Sequence, residues 1–247
     1  MSRNKVFIAF FIVLMLTLRA FHIKADPPFS LSPGCAEFLT DEGWWVHNAV
    51  NKALFNKWII DDFNPVYITP LFTVFQYISF KLLGVSFASA RFVNVFFSIL
   101  TLIILYLFLK NWTSPDVAVF TLIFMGFNYV YIMYNRLALL ETPMLFFLIL
   151  SLYFWRKGLT HKVFYHFLSG FSLLLAYLVK PTVTFALFVF LSLFLSISRI
   201  RKNHGLTYFL SGLFTGAILW TFLWIIPHYE SWRFFNRYYI GEKITFS

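Results

Sequence analysis

From residue 92 onward the chain is little more than long apolar runs joined by short polar links, and this succession restricts what it can fold into. In lipid every backbone N–H and C=O must be satisfied internally, which leaves helices and closed barrels. The runs, at 6–18, 70–83, 92–109, 117–134, 137–155, 163–179, 182–198 and 206–226, show no strand-like alternation, so helices are selected. Only 12% of residues are charged and 60% are hydrophobic, whereas soluble domains carry about twice that charged fraction. The expected class is an all-α polytopic, multi-pass integral membrane protein, a single membrane domain over 1–247.

Charge placement gives orientation. The formal net charge of +10 would suggest nucleic acid as a partner of a soluble protein, but here the bases sit between apolar runs and set topology instead. No nucleic-acid partner is expected. The links 156–162 and 199–204 are the two basic clusters, and the positive-inside rule assigns both to the cytoplasm. Counting back puts Arg136 and Glu141 outside, 110–115 inside and Arg91 outside. Run 6–18 has no small-residue cleavage pattern at Ile23-Lys24-Ala25 and reads as an uncleaved first span. Six of the 10 acids (Asp26, Glu37, Asp41, Glu42, Asp61, Asp62) then fall in one external loop, 24–68, after it.

Run 70–83 cannot cross once without breaking this parity. As a helix it would be only about 21 Å long, against a hydrocarbon core of about 30 Å. Thr69 as N-cap, Pro70 at the first helical position and Gly84 past the end bound a complete helix. With Thr73, Tyr77 and Lys81 on one face, it reads as an amphipathic helix, 69–84, on the outer surface. The alternative is a cytoplasmic link at 84–91 and one misread span later. About seven spans remain, the later ones over 92–227, with an external tail at 228–247 that reads as loop. The sequon at Asn111 then faces the cytoplasm and is a chance match.

The 35 Phe and 13 Tyr read as lipid-facing bulk and imply no function. Cys35 stands alone, so neither a disulfide framework nor a thiolate cluster is available. The chemistry must come from acids and bases on the outer side. After Thr40, a plausible N-cap, residues 41–57 are helix-compatible, and the helix dipole favours ionised Asp41 and Glu42 in the first turn. Such a carboxylate can act as a base or a cation ligand; equally, the pair can do no more than start a helix, with Trp44 and Trp45 as interfacial anchors. His47, lacking a second histidine nearby, implies no metal.

Glu141 lies in Leu137-Ala138-Leu139-Leu140-Glu141-Thr142-Pro143. Thr142 as N-cap and Pro143 as first residue would open a helix to Trp155 of only about 20 Å, recessed from the surface. Leu137 to Leu140 would be extended backbone at membrane depth, tolerated only where protein buries it or water reaches it, and Glu141 would face a cavity. The plainer reading is Glu141 pairing with Arg136 in water. Lys180, at the tip of the next hairpin, either snorkels or faces an anionic group such as a phosphate, a role for which Lys52, Lys57 and Lys81 compete.

Asp41-Glu42 in the external loop, Asp61-Asp62-Phe63-Asn64-Pro65, Ser89-Ala90-Arg91, Arg136 to Pro143, and Val179-Lys180-Pro181 occur in an order, spacing and common side that resemble the GT-C glycosyltransferases. The likeness is to the bacterial relatives of protein O-mannosyltransferases and of the lipid A aminoarabinose transferase, and it covers essentially the whole chain. The resemblance implies a GT-C-like module with a long first extracytoplasmic loop and juxtamembrane helices. Its implied reaction transfers a sugar, with inversion, from a polyprenyl-phosphate donor to a lipid, glycan or protein acceptor. The setting would be a bacterial inner membrane, with membrane lipids around it and the active face outside.

Asp41 matches the family's general base, Glu141 its second external acid and Lys180 a base near the carrier phosphate; Glu42, Arg136, Lys81 and His47 complete the expected substrate-binding set. No cofactor is firmly implied; a divalent cation could be held by carboxylates, yet acids this dispersed define no site. Two departures stand out. Some relatives have a lysine where this chain has Asn64 before Pro65, and relatives continue with further spans, which suggests an N-terminal membrane module only. A non-catalytic relative and a small transporter subunit are the competing classes; ionisable groups gathered at one face rather than at span centres argue against transport.

Overall fold

In a computed structural model the described residues are 3–25, 41–61, 64–196 and 204–245. Thr40, Cys35, Asp26, Glu37, Asp62 and the basic link 199–203 lie outside them. The described residues contain no β-strand. The helices are α1 (Arg3–Ala20), α2 (Asp41–Phe55), α3 (Pro70–Leu83), α4 (Phe87–Trp112), α5 (Pro115–Phe127), α6 (Tyr129–Asn135), α7 (Glu141–Thr160), α8 (Phe164–Val179), α9 (Phe185–Ser196), α10 (Gly205–Trp220) and α11 (Tyr229–Thr245).

Local chemistry explains most boundaries. Gly84 ends α3 at φ 79°, a conformation that costs glycine little. Ser86 and Ser114 cap α4 and α5, accepting from Ser89 N at 3.1 Å and Val117 N at 3.2 Å. Thr69 precedes α3 but does not cap it through its side chain: its hydroxyl donates to Pro65 O at 3.2 Å. The 3₁₀ turn Pro65–Tyr67 offers that carbonyl, and Pro70 has no N–H to be satisfied.

Run 117–134 is not one straight helix. Asn128 takes an extended conformation (φ −63°, ψ 120°), its Oδ1 accepts from Tyr131 N at 2.9 Å to start α6, and α5 and α6 meet at a 66° bend. Backbone released by such a break needs a new partner. Arg19, fully buried at the end of α1, donates to Gly126 O at 3.2 Å and Met15 O at 3.1 Å. Its cation also lies 5.5 Å from the Tyr131 ring. The charge is thus met by carbonyl dipoles and an aromatic face.

Two structures in the expected tail and span differ from the sequence reading. Residues Tyr229–Thr245, expected as loop, are helical, continuing from α10 through a π-helical stretch at Thr221–Ile225. Helix α7 begins at Glu141 rather than Pro143 and runs through the basic link to Thr160, because Thr142 does not cap it; its hydroxyl donates to Asn135 Oδ1 at 3.0 Å. At 20 residues α7 is about 30 Å long.

The core is a bundle of α4, α7, α8 and α10, to which α9 adds Ala186, Phe190 and Phe194 and α3 adds Phe72. Small residues bring the backbones together, as expected where apolar burial alone does not drive association. Ser151 of α7 and Ser169 of α8 bond reciprocally to each other's carbonyls at 2.8 and 2.9 Å. Gly170 of α8 faces Phe209 O of α10 so closely that a Cβ would sit 1.9 Å from it.

Helices Phe87–Trp112 and Gly205–Arg237 are long and apolar enough to cross a membrane, and the bent α5–α6 pair is a third candidate. Helix α8 and Pro181–Ser196 are apolar but shorter, 16 residues for α8, or about 24 Å. The described residues therefore form an all-α membrane-type bundle, with two or three clear crossings among them where seven were expected.

Candidate functional site

The first turn of α2 points its two acids in different directions. Asp41 is exposed, with no partner among the described residues. Glu42, one position on and so about 100° around the helix, turns inward. Arg91 of α4 grips it with both arms, Nε to Oε1 at 2.9 Å and Nη2 to Oε2 at 2.6 Å. Arg91 Nη1 also donates to Ile23 O at 3.0 Å and Ala25 O at 3.1 Å. Bidentate geometry of this kind matches the planar guanidinium.

Glu42 Oε1 accepts a third bond, from Ala138 N at 2.6 Å. Ala138 belongs to Leu137–Leu140, which is non-helical but turned rather than extended as expected, Leu140 lying in the right-handed helical region at φ −72° and ψ −24°, and all four residues are buried. Leu139 O accepts from Asn94 Nδ2 at 2.6 Å, and Leu139 N donates to Leu137 O at 2.9 Å. Protein therefore supplies the bonds that irregular backbone needs among apolar helices. Arg91 was part of a recognisable motif, but its role as Glu42's partner carried no sequence signal.

Three residues beyond Ala138, at a chain reach of about 10 Å, stands Glu141. It forms an ion pair with Lys180 at the C-terminal end of α8, both partners half-exposed. The pairing of Glu141 with Arg136 is thereby corrected: Lys180 holds Glu141, and Arg136 Nη2 donates to His22 O at 2.7 Å. Burial, and then the neighbouring Arg91 cation, lower the Arg136 guanidinium from the usual arginine range. Lys180 Nζ has three N–H donors, so it can hold Glu141 and still reach another anion.

His47 pairs with Asp61 at 2.8 Å and contacts Asn51 Nδ2 at 3.2 Å. Beside it, buried Asn48 ties down the segment after α2, donating to Trp58 O at 2.6 Å and Asn64 Oδ1 at 3.0 Å and accepting from Val66 N at 3.2 Å. Sequence reasoning missed Asn48, since an asparagine on a polar helix face has no signature of burial. Lys81 is exposed on α3 and joins no ion pair among the described residues. Among the described residues no three His, Cys, Asp or Glu side chains converge in a way that could hold a metal ion.

The arrangement joins an exposed acid, a fixed buried carboxylate and a half-exposed acid–base pair through one short loop. Comparison with known families matches residues 67–228, about two thirds of the chain, to the model described as dolichyl-phosphate-mannose-protein mannosyltransferase. The match takes in Lys81, Arg91, Arg136, Glu141 and Lys180, while α2 with Asp41 precedes it. No curated protein and no solved structure matches the chain.

Proposed function

The chain belongs to the dolichyl-phosphate-mannose-protein mannosyltransferase family, and from that premise we propose that it transfers a sugar from a polyprenyl-phosphate carrier to a lipid, glycan or protein acceptor. Glycosyl transfer at a membrane, with a sugar donor and an acceptor, is what the family provides in general. The finer reading is inverting transfer at the extracytoplasmic face of a bacterial inner membrane, within a seven-span module in which α7, α8 and α9 also cross. Shorter crossings are accommodated by local thinning of the bilayer.

The observation that carries this reading is the Glu141–Lys180 pair set next to the Glu42 joint, with Asp41 exposed beside Glu42. An acceptor hydroxyl needs a positioned base, and Asp41 has its carboxylate available for that. The departing lipid phosphate needs a cation, and Lys180 supplies donors that Glu141 does not consume. Glu141 then keeps Lys180 aimed at the donor and can accept bonds from sugar hydroxyls. Arg136, Lys81 and His47 act as peripheral contacts for the carrier or acceptor.

The test is transfer from defined polyprenyl-phosphate sugars by membranes containing the chain, comparing wild type with Asp41→Asn. A drop of at least a hundredfold at equal expression is expected, the upper range for a removed general base being about 10⁴-fold. Undiminished transfer by the variant would remove Asp41 from the role, and no transfer by wild type from any such donor would remove the donor class.

A further inference from the structure

At the far end of α7 from Glu141, a cavity of about 160 Å³ opens between the C-terminal turns of α4 and α7. Its walls include Asn111, Tyr153, Arg156, Lys157, Thr160 and His161. Arg156 Nε is buried with no hydrogen-bond partner. Lys157 Nζ is held 4.8 Å above the Tyr153 ring and 5.3 Å from that of Tyr165. Cation–π contacts fix the ammonium in place without neutralising it.

We propose that this cavity binds a phosphate-bearing anion, with Arg156 and Lys157 as its charge partners and Asn111, Thr160 and His161 as additional polar contacts. Cations at helix C-termini often serve only to cap carbonyls, but here other groups take that part. Leu109 O accepts from Thr113 N at 2.8 Å and from the Thr113 hydroxyl at 2.9 Å. Lys157 O accepts from His161 N at 2.8 Å. Neither Arg156 nor Lys157 joins an ion pair among the described residues. Glu141, the acid nearest to them in the chain, pairs with Lys180, and Asp116, five residues past Asn111, lies in the first turn of α5, where the helix dipole already favours it.

Depth supports the same ligand. Arg156 and Lys157 stand about 23 Å along α7 from Glu141, and Thr160 at the cavity's far wall about 28 Å, close to the roughly 30 Å of a hydrocarbon core. A cavity there meets the headgroup layer of the leaflet opposite Glu141, where phosphodiesters are abundant, and a guanidinium with an unused donor suits their oxygens. Free phosphate offers the same chemistry from the aqueous side.

Native mass spectrometry of the purified full chain, titrated with phosphatidylglycerol or with phosphatidylcholine of the same acyl chains, tests the assignment. Wild type should retain phosphatidylglycerol at least fivefold better, and the double variant R156Q/K157Q should lose that preference with an unchanged unfolding temperature. Displacement of the lipid by millimolar inorganic phosphate would identify free phosphate as a competent occupant; resistance would assign the site to lipid. Equal retention of both lipids by wild type and variant overturns the proposal. Should the variant misfold, photo-crosslinking of wild type with a headgroup-labelled phosphatidylglycerol decides: label on peptides covering 108–111 or 153–161 supports the site, and label confined elsewhere refutes it.

Discussion

Glu42–Arg91 and Glu141–Lys180 meet one short segment three residues apart, at Ala138 and at Glu141, yet they differ in how far they are enclosed. In the first pair the side chains are 12% and 2% exposed; in the second they are 40% and 27% exposed. The buried pair is enclosed by further bonds, to Ala138 N and to the carbonyls of Ile23 and Ala25. It has an acceptor for its donors and a donor for its acceptors, which is the condition under which buried charge is tolerated. The exposed pair has few such attachments and keeps donor and acceptor capacity. Proximity therefore does not give two charged pairs the same capacity: one is enclosed and fixed, and the other keeps donors and acceptors for a further partner.

The largest effect expected from this contrast comes from Arg91→Ala. It would leave Glu42 buried and uncompensated and should lower stability by about 3–5 kcal/mol, read as loss of folded, monodisperse protein in detergent. A stable Arg91→Ala would break the comparison. Asn94→Leu tests the same joint less severely. Leu139 O would lose its donor, at about 1–3 kcal/mol, seen as a lower unfolding temperature with protein still recoverable. Glu141→Gln should be smallest in stability, under about 1 kcal/mol, while reducing sugar transfer by tenfold or more with Lys180 no longer oriented. If Glu141→Gln instead unfolds the protein, the two pairs are alike and the exposed one is structural too.

Much of the fold was legible because punctuation in the sequence is chemically specific. Pro70 and Gly84 bound α3, since each residue suits only a few backbone positions. The break at Asn128 was not legible, because one asparagine in an apolar run looks the same whether it faces a neighbour or caps a new helix. Thr142 misled for a related reason: its hydroxyl had a tertiary partner, Asn135, that local sequence cannot reveal.

At the candidate site, the sequence brought Glu141 and Lys180 to one end by counting spans, and their contact is a tertiary fact. Nothing local distinguished Asp41 from Glu42. They are neighbours in the chain and chemically alike, and only the position of Arg91 decides which turns inward. The burial of Asn48 and the partner of Arg91 were invisible for the same reason, the groups they bond lying as far as 18 and 49 residues away.

The bond between Arg19 and the bend carries a consequence for synthesis. Its acceptor, Gly126 O, comes 107 residues later, so at roughly 5–20 residues per second the arginine waits about 5–20 s for its partner. Until then the Gly126 carbonyl is missing as an acceptor, and a long basic side chain can snorkel to the lipid headgroups. The first helix packs on α4 through Phe11 and Met15, and its buried cation gains its last acceptor only when the kinked α5–α6 pair emerges.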